Sequence, residues 1–91
     1  MKIEFSKPFK FEDQTFEAID LKLEELTGED MLAVNKQFAS EGLFSLAPSA
    51  DMNFQMYLAA RASKQPIEFF KQMPAKEFAN VVQSVSNFLM L

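Results

Sequence analysis

Apolar and polar positions alternate at the start of the chain. Ile3, Phe5, Phe9 and Phe11 share one parity, the period-2 signature of a half-buried strand, and Lys7-Pro8 within that run marks an edge position or a break. A second run, Thr15 to Leu23, follows Glu12-Asp13-Gln14, so the pattern predicts a β-hairpin within residues 1–24. A two-residue turn at Asp13-Gln14 faces Phe11 with Phe16, Phe9 with Ala18, Lys10 with Glu17 and Lys7 with Asp20. Each such aromatic or opposite-charge pair contributes about 0.2–1 kcal/mol. Asp-Gln lacks the glycine that a tight turn prefers, which leaves a three-residue loop as the alternative. The apolar parity then passes from Phe16 and Ala18 to Ile19, Leu21 and Leu23, predicting a bulge or a change of face near Ala18–Asp20.

From residue 27 onward the apolar spacing changes to three and four. Thr27 is placed to cap a helix whose first turn holds Glu29 and Asp30, where the helix dipole favours negative charge. Met31, Val34 and Phe38 form its apolar face, and it should end by Ser40 or Gly42. An apolar connector with Leu43, Phe44 and Leu46 leads to Pro48-Ser49-Ala50-Asp51. There Ser49 is a candidate cap for the next helix, or Pro48 occupies its first turn. In that helix Met52, Met56, Ala59 and Ser63 lie on one stripe and Phe54, Leu58 and Ala62 on another about 200° away, at about 3.6 residues per turn. A helix apolar on two sides is either central to the fold or shared between core and partner. Pro66 and Pro74 interrupt the pattern and predict a short helix from Pro66 through Met73. The last helix carries Phe78, Val81, Val82, Val85, Phe88 and Leu89, the strongest periodic signal in the chain. The expected fold is α+β: an N-terminal β-hairpin, then a bundle of three to four helices over residues 27–91, in one domain spanning 1–91.

Composition sharpens this picture in one respect. Eleven Phe and six Met stand beside one Tyr and no Trp in 91 residues. A chain this short buries only about 60–65% of its unfolded surface, so part of this apolar excess is expected on a surface that needs a partner. Met suits such a surface because its flexible, polarizable side chain adapts to different shapes. The candidate protein-binding residues are therefore Met52, Met56, Phe69, Phe70 and Met73 of the second and third helices. On that reading, Asp at Met56 or Phe70 leaves a folded protein that no longer binds.

The available chemistry is sparse. With no Cys and no His, the chain lacks thiolate and imidazole ligands, disulfides, Cys nucleophiles and His acid–base catalysis. Gly28 and Gly42 are the only glycines, so no phosphate-cradling loop is present. The acidic cluster Glu24, Glu25, Glu29 and Asp30 reads as solvated capping charge rather than as a Mg²⁺ or acid–base site. Arg61, the only arginine, either anchors a carboxylate or makes a local contact with Tyr57 four residues earlier; we favour the local contact or simple solvation. No catalytic, cofactor or metal site is expected, and the chain reads as a binding module, not an enzyme.

Residues 1–30 hold nine acids against four lysines, and residues 31–91 four acids against five bases. Neither half carries the basic stripe of a nucleic-acid binder. No apolar run approaches the roughly 20 residues of a membrane helix, and no signal-peptide pattern is present.

The order of motifs resembles one family. It runs K-P-F-K-F-E-D-Q-T-F (7–16), L-x-L-E-E-L-T-G-E-D-M-L (21–32), Y-L-A-A-R-A-S (57–63), Gln65-Pro66 before a short helix, and M-P-A-K-E-F (73–78) leading to V-V-x-x-V-x-x-F-L (81–89). Nearly the whole chain is similar to the tail assembly chaperones of long-tailed phages and prophages, grouped with the Mu-like and P2-like proteins. Asp13 stands where many relatives have Gly, and the long extension produced by a frameshift is not seen; on the resemblance, this would be expected of the short, unshifted product.

The resemblance implies a protein of the host bacterial cytoplasm, absent from the mature virion. It would coat and solubilise the tape measure protein and help to recruit tail tube subunits. A frameshifted longer form of the chain and a homo-oligomer are further implied partners. The alternative is a minor tail or connector subunit retained in the virion.

Overall fold

The computed structural model describes residues 1–45, 47 and 50–90. Two antiparallel strands, β1 (Lys2–Phe11) and β2 (Gln14–Asp20), form a hairpin. A 3-10 turn (Leu23–Glu25) follows, then four helices: α1 (Gly28–Ser40), α2 (Met52–Ser63), α3 (Ile67–Gln72) and α4 (Ala75–Leu89). This is the α+β arrangement that the two periodicities predict.

The hairpin turns one residue earlier than expected. Glu12 and Asp13, with φ of 48° and 66°, both adopt the left-handed conformation of a tight two-residue turn. Phe11 therefore faces Gln14, Lys10 faces Thr15 and Phe9 faces Phe16, in place of the pairs expected from a turn at Asp13-Gln14. Lys7 does not meet Asp20, which pairs with Lys2. The irregularity expected in β2 lies in β1 instead, where Phe5 to Pro8 oppose Glu17 alone and shift the register by three residues. An odd shift explains the parity change in β2: even-numbered Phe16 faces Phe9, and beyond the break odd-numbered Ile19 faces Ile3. Pro8, which cannot donate to a ladder, sits inside this break.

Local signals set the helix ends. Thr27 accepts from the Asp30 backbone N–H while the Asp30 carboxylate accepts from the Thr27 N–H at 2.9 Å, a reciprocal capping box. Asp51 caps α2, accepting from the backbone N–H groups of Asn53 and Phe54. The candidate cap Ser49, the alternative first-turn residue Pro48, and Leu46 of the connector lie outside the described residues. Pro66 and Pro74 immediately precede α3 and α4, each ending one helical run and fixing the start of the next.

The core is organised about α2, where all seven residues from Phe54 to Ala60 are buried. Its two apolar stripes place it at the centre of the fold. On one side Phe38 of α1 meets Phe54 and Tyr57 edge-on, with ring centroids 5.6 and 5.3 Å apart. Elsewhere in the core, Phe69 is surrounded edge-on by Phe9, Phe11, Phe16 and Phe70 at 4.9 to 5.3 Å, joining the hairpin to α3.

A second tie holds the hairpin to α4. Glu77, 2% exposed, accepts from the Ser6 backbone N–H at 2.8 Å and from its hydroxyl at 2.7 Å. Ser6 lies in the out-of-register segment of β1, so the carboxylate satisfies an amide that the break removes from regular strand pairing. These hydrogen bonds from Ser6 hold the Glu77 carboxyl below its ordinary value of 4.5.

Phe69→Ala should cost about 3–5 kcal/mol of unfolding free energy, measured by urea denaturation, because four rings lose their common partner. A carboxyl with a depressed folded pKa stabilises above its unfolded value and loses that contribution as pH falls. Wild type should accordingly be more stable than Glu77→Gln at pH 7, with the difference shrinking as pH drops below about 4.5, the ordinary Glu value. An unchanged difference at low pH would show that this clasp is not an ionic one.

Candidate partner-binding groove

The Met/Phe positions expected on a binding face divide between core and surface. Met52 is 55% exposed, whereas Met56, Phe69, Phe70 and Met73 are buried. Burial follows from the central position of α2 and from the shortness of α3, whose six residues turn both Phe69 and Phe70 inward. Phe69 faces the aromatic rings of the hairpin. A carboxylate at Met56 (2% exposed) or Phe70 (0%) would thus be buried without a partner, and loss of the fold replaces the earlier expectation of a folded non-binder.

The structure nevertheless brings three of the five residues to one place. Met56, Phe70 and Met73 form the floor of an open groove of ≈ 350 Å³, with Phe78 and Ala75 of α4 as its far wall. Met52 lines a neighbouring groove of ≈ 330 Å³ with Ala79, Val82 and Ser86. Met52 beside Asn53 on α2 and Phe78 beside Ala79 on α4 place both grooves along the α2/α4 boundary, hereafter the α2/α4 seam. From Ala75 to Ser86 the α4 side extends about 16 Å, three turns of helix at 1.5 Å per residue. Each groove is at the low end of the roughly 300–1,000 Å³ typical of small-molecule sites and open along its length, a shape that suits a side-chain ridge better than an enclosed cofactor.

Ala79 escapes the sequence reading, and Val82 enters it only as part of an α4 apolar stripe that reads as a single core face. The clue is its width. Val81 and Val85 are fully buried in the core, and adjacent Val82 supplies apolar surface beyond what one interface requires.

Another groove, polar and of ≈ 480 Å³, lies where α2 meets α1 and α3, between Tyr57, Glu41, Arg61 and Glu68. The Tyr57 hydroxyl donates to Glu41, and that bond, reinforced by burial of the phenol, pushes the Tyr57 pKa up to about 12. Arg61 binds the Asp30 carboxylate at 2.7 Å, so it anchors α2 to the capped start of α1 in place of the expected local contact with Tyr57. That pairing, with the Thr27 hydrogen bonds, holds the Asp30 pKa below the usual carboxylate range. Glu24 and Glu25 are exposed on the 3-10 turn. Among the described residues no group of three acidic side chains is placed to hold a metal ion, and no helix is long and apolar enough to cross a membrane.

A family model described as "Phage tail assembly chaperone proteins, E, or 41 or 14" matches residues 2–90. No curated protein and no solved structure matches the chain.

Tyr57 is the only tyrosine and there is no tryptophan, so its titration can be followed directly by ultraviolet absorbance. The folded phenol should ionise near pH 12, and Glu41→Gln should move it back toward 10. Since the neutral phenol is favoured in the folded state, its stabilising contribution is complete below pH 10 and disappears as pH rises toward 12.

Proposed function

The chain belongs to the phage tail assembly chaperone family, and from that premise we propose that it binds and solubilises the tape measure protein during tail morphogenesis through the α2/α4 seam. The single observation that carries this reading is the seam itself, two open, mainly apolar grooves spread over about three turns of α4 and lined by Met56 and Met73 in one and Met52 in the other. An amphipathic helix docks in such a groove by anchors at i, i+3 or i+4, and i+7. A long helical protein presents that pattern repeatedly, and Met side chains accept successive versions of it without strict shape matching. The chaperone acts by covering apolar surface, without chemistry. Tail tube subunits displace it by competing for the same helical faces, so it works in the host cytoplasm and leaves before the virion is complete. The acidic first thirty residues keep coated complexes apart and in solution.

Co-expression of the chain with a tape-measure segment should yield a soluble complex. Met52→Asp and Ala79→Arg, both at exposed positions of the seam, should remain folded by circular dichroism and lose binding about tenfold or more. Unchanged solubility of the segment, or variants that bind like wild type, would sink the proposal.

A further inference from the structure

We infer that the occupant of the α2/α4 seam is an amphipathic helix carrying a carboxylate beside its apolar anchors, and that Lys71 is the specificity residue that pairs with it. The inference rests on the seam being the docking groove and adds the charge of its ligand. The chain has 13 acidic residues against 9 basic ones, yet among the described residues no acid lines either part of the seam. Lys71, at the end of α3, is the one charged residue there; the polar rim is otherwise made of amides and a hydroxyl, such as Asn53, Gln83 and Ser86. Charges elsewhere are mixed. Arg61 is bound to Asp30, and the polar groove where α2 meets α1 and α3 contains both Glu41 and Glu68.

Lys71 is exposed and forms no ion pair among the described residues. It stands beside Phe70 and Met73, at the α3 end of the seam. A carboxylate on one flank of the ligand helix meets Lys71 only when the apolar anchors sit in one register, whereas a basic residue at that point is repelled. The lysine therefore selects among apolar helices of similar shape and fixes how they lie. Because it is at a solvent-exposed rim, it governs preference and salt dependence more than total affinity.

The test uses the full chain and two synthetic helical peptides of about four turns with identical Leu anchors at i, i+3 and i+7, one flanked by Glu and the other by Lys. Fluorescence anisotropy should show the Glu peptide binding about two- to fivefold tighter at low ionic strength, with the difference suppressed by high salt. Lys71→Glu should invert the preference, and Lys76→Glu, on α4 outside the groove lining, should leave it in place. Equal binding of the two peptides, or a preference that survives Lys71→Glu, overturns the charge inference while the groove stands. If neither peptide binds, the docking groove itself falls, and Lys71's role with it.

Discussion

Burial of α2 on every side is the constraint from which the rest of the structure follows. A helix whose residues from Phe54 to Ala60 are all covered needs neighbours around its whole circumference. In this chain α1 packs against it through Phe38, while α3 and α4 flank its other faces. The hairpin completes the enclosure by surrounding Phe69 with three of its rings and by fastening Ser6 to Glu77. So small a set of elements cannot close every seam. Along the α2/α4 boundary two open grooves remain, one beside exposed Met52 and one backed by the buried side chains of Met56, Phe70 and Met73.

Much of this was legible in the sequence wherever local chemistry decides. The alternation of residues 1–11, the Thr27 cap and the two prolines locate their elements because each acts within a few residues of itself. Hairpin register was less accessible. It is set by the left-handed pair Glu12-Asp13 and by the need to bring Phe9 and Phe16 together against Phe69, a contact with a helix more than fifty residues away in the chain. Glu77 was missed for a similar reason. A carboxylate in the first turn of a helix reads as dipole compensation, and only the break in β1 gives it a buried partner. The candidate binding residues were identified by type and not by direction, so only Met52 of the five proves exposed and the other four turn into the core.

The physical character of the groove matches what a transient assembly partner requires. Apolar burial contributes roughly 25 cal/mol per Å² and is indifferent to the identity of the partner side chain, which favours many similar docking events along a repetitive helix. Keeping Met56, Phe70 and Met73 largely covered in the free protein leaves Met52 as the conspicuous exposed apolar group of the seam. The seam thus presents a limited apolar surface, and in the proposed complex a partner helix deepens its contact by displacing flexible Met side chains. Covering a groove without covalent chemistry also makes release a matter of competition, in keeping with a family whose members assist tail assembly.

The central claim is that the α2/α4 seam is the surface that takes the tape measure. Titrating the isotope-labelled chain with a tape-measure segment and following backbone amide shifts by nuclear magnetic resonance tests it most directly. The account predicts that the largest changes cluster at Met52–Met56 and Ala75–Ser86, with Lys71 at their edge. Changes confined to the groove of Tyr57, Glu41 and Arg61, or to the hairpin, would contradict it.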